Sequence, residues 1–364
     1  MIRFDRLALL CLAWLLAALQ PPAAAAQPAA AAPAVEVTQP AAVPTLAITP
    51  LPAVTSRPTP TQAAPPVRLA FDEDPPAEEL DLRPPLYDLP WAIQAGDHFL
   101  FQWPIAADRI SWIEPNYRYG DYFPDSEVIH TGIDIEVARG TPVLAAGPGK
   151  VVWAGYGLLL GRGNLDDPYG QAVVVRHDFG YGSRQLFTVY AHLDRIDVKE
   201  GQYLEAGDPL GLVGSTGKVT GPHLHFEVRV EQNAFHTSRN PELWIAPPQG
   251  YGVLAGRITR TSGLPFPDLD VFIQSLETGK RWQVRTYGPL SANGDDFYRE
   301  NLALGDLPAG RYQVKFYYNW SWRTHEITIQ PGMVNYFTYS LRDGFVDGPP
   351  NPAASWSPPE WSTP

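Results

Sequence analysis

The stretch GPHLHFEVRV, Gly221 to Val230, decides how this chain is read. Polar and apolar residues alternate along it with period two. That pattern marks a half-buried strand, whose successive side chains point to opposite faces. Leu224, Phe226 and Val228 then face a core, while His223, His225 and Glu227 share the other face. By strand rise, the two imidazoles stand about 7 Å apart over one part of the sheet.

Runs of the same kind precede it: "TPVLAAGPGKVVWAGY", "GQAVVVRH", "QLFTVYAHL" and "DPLGLVG". Val, Ile and Tyr are enriched, Gly turns separate the runs, and no amphipathic helix stands out. Residues 125–249 therefore read as an antiparallel β-domain. In "HTGIDIEV", His130 and Asp134 have helical spacing. Gly132 and the Ile133/Ile135/Val137 alternation instead favour a turn running into a strand, with His130 and Asp134 on its polar parity. In "TVYAHL", His192 ends an apolar strand.

Two histidines and one carboxylate suit zinc with a fourth position open to water. A histidine left unliganded can exchange a proton near neutral pH. Spacing alone does not decide which side chains do which. Glu227 reads equally as a partner that orients a ligand imidazole or as a solvated strand carboxylate. No HExxH is present, so the helical zinc-protease arrangement does not apply.

Together, "HTGIDIEVARGTPVLAAGPGKVVWAGY" and "YAHLDRIDVKEGQYLEAGDPLGLVGSTGKVTGPHLHFEVRV" resemble the lysostaphin-type (LytM-like) zinc metallopeptidases over residues 125–242. The resemblance implies a mainly β fold with an antiparallel sheet and a narrow groove. It implies Zn²⁺ held by His130, Asp134 and His225, with His192 and His223 in the proton-transfer and transition-state roles. His223 would take the proton of water and hand it to the leaving amine, and His192 would donate to the oxyanion, or the two would exchange roles. The family cuts peptides of bacterial peptidoglycan, and some members that have lost ligands only activate other hydrolases. All five positions are filled here.

The rest of the chain fits an extracytoplasmic enzyme. Arg3 and Arg6, the 13-residue apolar run Leu7–Leu19 and small residues near Ala24–Ala26 read as a signal peptide over 1–26. The run is short for a membrane span, so no stable insertion is expected once it is cleaved. The only cysteine, Cys11, lies inside it, so any metal site must use His and carboxylate. Residues 27–88, rich in Pro and Ala, read as a linker, and 89–124 as an N-terminal extension of the catalytic domain. Residues 250–342 carry about seven short strands, "DFYRENL" among them, and suggest a β-sandwich of carboxypeptidase-regulatory-like or immunoglobulin-like type. Residues 343–364 read as a disordered tail. A net charge of −12 excludes a basic nucleic-acid face.

Several signals fall outside this scheme. His177–Asp178 reads as turn chemistry. His98, His236 and His325 read as surface or hydrogen-bonded residues. Asp166 and Asp167 read as a solvated loop or a groove wall rather than a calcium site, and "GLVGSTGKV" lacks the first glycine of a phosphate loop. Trp320 and Trp322 suit sandwich-core or hairpin packing, or stacking on sugar rings. Two rival functions remain: a secreted module that binds without turnover, and an envelope protein in which 250–342 serves as an anchor whose removal spares cleavage.

Overall fold

The computed structural model describes residues 82–109, 111–122, 128–288 and 292–350. The expected signal peptide, most of the linker and residues 351–364 lie outside them. All described residues belong to one compact unit, Phe71–Pro364. Among them no helix is long and apolar enough to cross a membrane.

The architecture is β throughout. The N-terminal part holds β1 (Trp112–Ile113), β2 (Ile133–Glu136), β3 (Pro142–Leu144), β4 (Gly149–Tyr156), β5 (Gln171–Tyr181), β6 (Arg184–Ile196), β7 (Tyr203–Leu204), β8 (Pro209–Val213), β9 (His223–Val230) and β10 (Ser238–Arg239). They form a ten-stranded sheet with the path β1-β2-β9-β6-β5-β4-β7; β10 adds to β9, and β8 bridges β6 to β3. Its strand pairs are antiparallel. The alternation in "HLHFEV" has its expected effect: Leu224, Phe226 and Val228 are fully buried in the core with Ile133, Ile135 and Tyr190. The opposite face is not left to water. Loop residues around Tyr169 cover it, packing with Ala172, Val174, Val189 and Ala191.

"NPELW" closes this part as a 3₁₀ turn, Pro241–Leu243, capped by the Asn240 side chain accepting from the Glu242 amide at 3.1 Å. The C-terminal block follows with β11 (Tyr251–Ile258), β12 (Asp270–Ser275), β13 (Arg281–Arg285), β14 (Leu302–Pro308), β15 (Gly310–Tyr318), β16 (Ser321–Ile329), β17 (Val334–Ser340) and β18 (Gly344–Asp347). They make two four-stranded sheets, β14-β11-β17-β18 and β13-β12-β15-β16. Residues of both, such as Leu254, Leu304, Ile273 and Phe316, share one core.

Three details differ from the sequence reading. "DFYRENL" is a turn rather than a strand, because the Asp295 carboxylate accepts from the amides of Phe297 and Tyr298 at 2.8 and 3.0 Å; the strand begins at Leu302. The presumed tail supplies β18, which pairs with β17 and buries part of Phe345 against Phe316 and Tyr339. The end of the presumed linker is packed: Arg83 lies over Trp103 at 4.0 Å, and Leu86 bridges Pro248. Within the C-terminal block β11 runs parallel to β17.

Candidate metal centre and groove

Strand register builds the site. Asp134 on β2 lies directly across from His225 on β9, and His225 lies across from Ala191 on β6. His130 stands just before β2, in a turn that Gly132 makes possible. A side chain at 132 would sit 2.3 Å from the Phe226 carbonyl oxygen and 2.9 Å from the His225 ring. The three ligand candidates converge: His130 Nε2 is 3.0 Å from Asp134 Oδ1 and 3.0 Å from His225 Nδ1, and His225 Nδ1 is 2.9 Å from Asp134 Oδ1. All three residues are buried.

The outer nitrogens of both rings are already engaged. His130 Nδ1 lies 3.1 Å from the Arg118 carbonyl, so it carries hydrogen and donates. His225 Nε2 lies 3.0 Å from Glu227 Oε1 and donates there. In the neutral tautomers the two facing atoms are both lone pairs, directed at each other and at a carboxylate. Such a set needs a positive charge between its members, so the donors fit a zinc-like cation.

When the two rings are protonated instead, their protons supply that positive charge: burial alone would raise the Asp134 pKa, but the charge of His130 and hydrogen bonds from the protonated His130 and His225 hold it well below the carboxylate range. Burial would lower His225, yet its hydrogen bonds to Asp134 and Glu227 raise it to about 9. Glu227 is fully buried and accepts from Thr131 Oγ1 at 2.5 Å, Tyr169 OH at 2.6 Å and Arg229 Nε at 2.6 Å. Burial opposes its ionisation, but Arg229 and His225 outweigh that and keep the pKa depressed. It is therefore no solvated strand carboxylate.

His192 and His223 stand beside the triad, their rings 4.8 Å apart, with His192 5.6 Å from His225. β6 does not end at His192. The strand continues to Ile196 through a bulge, and His192 sits in it at φ 62°. A non-glycine residue held there is strained and re-aims its side chain; here the side chain turns toward the triad. His192 Nδ1 lies 2.9 Å from the Thr216 carbonyl, and His223 Nδ1 lies 3.0 Å from that of Gly221. Both rings therefore present Nε2 as a lone pair. Burial, then His225 and His223, push His192 down to about 3. Burial also lowers His223 against a partial opposing pull from Asp134.

The five residues lie in a groove of about 880 Å³. One wall holds Glu114, Asn116 and Tyr117 of the N-terminal extension; others hold Leu159, Pro168 and Tyr169, the segment 218–222, and Ala292–Asn293 of the C-terminal block. Tyr117 stacks on His130 with centroids 4.1 Å apart and an interplanar angle of 17°. Asp167 organises the Leu159 wall: it is fully buried and accepts from the amides of Leu159, Leu160 and Tyr169 at 2.8, 2.7 and 3.0 Å. It is thus buried behind the wall it organises, not part of a solvated loop.

The other signals resolve differently. His177 is a strand residue inside the fold rather than a turn, bonded to Pro148 O and Thr188 Oγ1, and burial lowers its pKa to about 4. His98 is buried against Trp244 and pairs with Asp295 at 3.1 Å. His236 lines the groove, and His325 pairs with Asp347 near the surface. Trp320 and Trp322 are exposed on the β15–β16 hairpin rather than packed in a core, and Trp322 packs across the hairpin on Tyr317 and Lys315.

Residues 128–237 match the model of peptidase family M23, so the chain carries a domain of that family. Among curated proteins, it is 41% identical over 102 residues to DD-carboxypeptidase/endopeptidase Mpg of Neisseria meningitidis serogroup B, covering 28% of this chain and 20% of that one. It is 36% identical over 209 residues to lysostaphin of Staphylococcus staphylolyticus, covering 57% and 38%. The match to peptidoglycan DD-endopeptidase ShyB of Vibrio cholerae is 40% over 104 residues, covering 28% and 21%. The chain thus spans between a fifth and two fifths of the length of these relatives. The solved catalytic domain of lysostaphin from Staphylococcus simulans is 31% identical, with a TM-score of 0.30 and 35% of this chain and 89% of that one covered.

Proposed function

We propose that the peptidase family M23 domain at residues 128–237 makes this chain a zinc metalloendopeptidase that hydrolyses peptides of bacterial peptidoglycan outside the cytoplasm. The observation that carries the reading is the convergence of His130 Nε2, Asp134 Oδ1 and His225 Nδ1 on one point, with both outer ring nitrogens spent as donors. Those three atoms would hold the zinc ion. When bound, zinc supplies Lewis acidity that polarises a scissile carbonyl and lowers the pKa of water. The relatives named for peptidoglycan endopeptidase activity supply the substrate class.

The remaining chemistry falls to His192 and His223. Their Nδ1 hydrogens are committed to the Thr216 and Gly221 carbonyls, so each ring begins as an acceptor at Nε2. One of them takes the proton of the attacking water. The resulting imidazolium donates that proton to the leaving amine, closing the cycle. Donation from His192 to an oxyanion at the outset would need hydrogen on Nε2, a tautomer its Thr216 contact disfavours. Oxyanion stabilisation by either histidine therefore follows its protonation. Glu227, with Arg229 behind it, keeps the His225 ring in the orientation that turns Nδ1 inward.

The test is mass spectrometry of purified sacculi after incubation with the full chain, with and without a zinc chelator. New peptide termini that vanish with chelator support the reading and identify the bond. A protein that holds stoichiometric zinc yet releases nothing from any sacculus chemistry refutes it in favour of a binding module.

A further inference from the structure

We infer that the C-terminal block positions the metal site, by holding the segment 117–121 in which His130 is seated. The inference rests on the metalloendopeptidase reading and assigns part of its machinery to residues outside the family-matched region. His130 is fixed chiefly by this segment. The Tyr117 ring stacks on the imidazole. The Arg118 carbonyl accepts from Nδ1 at 3.1 Å, which selects the tautomer with its lone pair on Nε2. The Gly120 amide donates to the His130 carbonyl at 2.8 Å, and the His130 amide donates to the Asp121 carbonyl at 2.8 Å.

Segment 117–121 belongs to no named strand; beyond its main-chain bonds to His130, side-chain anchors hold it. Two consecutive residues supply them, and both reach the C-terminal block. Arg118 is buried; it donates from Nη1 to Glu242 Oε2 at 2.8 Å and from Nη2 to both oxygens of Asp306 at 3.0 Å. Asp306 lies on β14, and the neighbouring Gly305 amide donates to the same Glu242 oxygen. A buried guanidinium held by a fork of carboxylates has a fixed geometry, and losing one partner leaves charge uncompensated. Tyr119 is the second anchor. Its hydroxyl lies 3.1 Å from the Ser238 carbonyl and accepts from the Asn293 amide at 3.1 Å, and its ring meets Tyr287 edge-on at 5.3 Å. Tyr287 and Asn293 lie between β13 and β14.

A metal ligand's orientation depends on the group that receives its other nitrogen. Here that group is a main-chain carbonyl, so whatever fixes the main chain at 118 fixes the ligand. Asp306 is a positioning residue in this sense, since it touches neither ligand nor substrate.

The test measures zinc affinity of the full chain by chelator competition, alongside the melting temperature of the metal-free protein. Asp306→Ala is expected to weaken zinc binding about tenfold or more. Asp306→Glu should restore it to within about threefold, and Asp270→Ala, a half-exposed position on β12 of the same block, should leave it unchanged. A purely structural role would lower the metal-free melting temperature and spare the zinc affinity, and that result overturns the inference. Should Asp306→Ala fail to fold, Tyr119→Phe decides, because it removes only a hydroxyl. A severalfold weaker affinity supports the inference, and an unchanged one overturns it. A wild-type chain that takes up no zinc brings down both readings; one that binds zinc and cleaves, with every variant matching it in affinity, brings down this one alone.

Discussion

Replacing Glu227 with Gln is the sharpest perturbation of the site, because it removes a charge and little volume. Glu227 Oε1 receives the His225 Nε2 hydrogen at 3.0 Å, and Oε2 receives Arg229 Nε at 2.6 Å. Two effects separate. The first concerns the ligand: a partner of a metal-bound histidine is worth about 10- to 100-fold in metal affinity, or about 1.4–2.7 kcal/mol. The second concerns the fold: Arg229 is buried and loses its only carboxylate partner among the described residues. Removing one member of a buried pair costs about 3–5 kcal/mol. Arg229 keeps Tyr169 OH at 3.0 Å and Asn233 Oδ1 at 2.7 Å, so the lower figure applies. About 3 kcal/mol corresponds to a fall of roughly 5 °C in melting temperature for the unit Phe71–Pro364, at ~2.1 cal/mol/K of unfolding entropy per residue. Chelator competition at neutral pH reads the first effect and thermal melting of the metal-free chain the second. A Glu227→Gln variant whose zinc affinity stays within threefold of wild type and whose melting temperature falls by less than about 2 °C would refute the reasoning that this carboxylate anchors the site.

Further outcomes follow from the same geometry. His192→Ala and His223→Ala should each retain zinc within about threefold while losing about 10²–10⁴ in turnover; loss of zinc by either would place it among the ligands. Zinc affinity should fall as the pH is lowered below about 9, by about a factor of ten per unit, because a proton on His225 competes for the same lone pair; titration calorimetry across pH 6–9 reads the slope. Buried Glu300 has its pKa raised to about 8 by burial and by Asp295. Its folded value lies above the unfolded one, so the folded state keeps a proton that the unfolded state gives up, and stability falls from about pH 4.5 to about 8. Glu300→Gln should flatten that part of the melting-temperature profile, whatever its absolute level. Asp167→Ala leaves the amides of Leu159, Leu160 and Tyr169 without their acceptor. It should cost about 1–3 kcal/mol by melting and raise KM for peptide substrates.

What the sequence disclosed follows strand parity closely. "HLHFEV" separates Leu224, Phe226 and Val228 from His223, His225 and Glu227, and the structure keeps that division. The same rule places Arg229 on the face of Glu227, a signal present in "HFEVR" and missed. Parity could not place His192. A residue at φ 62° in a bulge breaks the alternation, so the strand looks finished in sequence while it continues in space. Tyr117 and Tyr169 come from irregular segments with no period to read, and they reach the site only because the chain folds back on it. Asp166 and Asp167 are indistinguishable in "GNLDDPYG", yet one is exposed and the other gathers three amides. Backbone satisfaction of that kind depends on the turn and leaves no composition signal.

The C-terminal block shows the same limit at larger scale. An alternating run announces a strand but not what covers its second face. In β11, Leu254 and Ile258 enter the core shared by the two four-stranded sheets, while Val253 and Ala255 enter the core of the large sheet. Ala303, Val334 and Tyr336 also face the large sheet, together with Tyr298. An anchor on a tether would leave that face polar. Burying a large apolar side chain is worth about 1.5–3 kcal/mol, so the apolar side chains that the block buries there contribute on the order of several kcal/mol, a large share of the 5–15 kcal/mol that keeps a typical domain folded. Removing residues 250–342 should therefore abolish cooperative folding and zinc retention together, by calorimetry and metal analysis. A truncated chain that melted cooperatively and cleaved as the full chain does would return the block to the role of a detachable anchor.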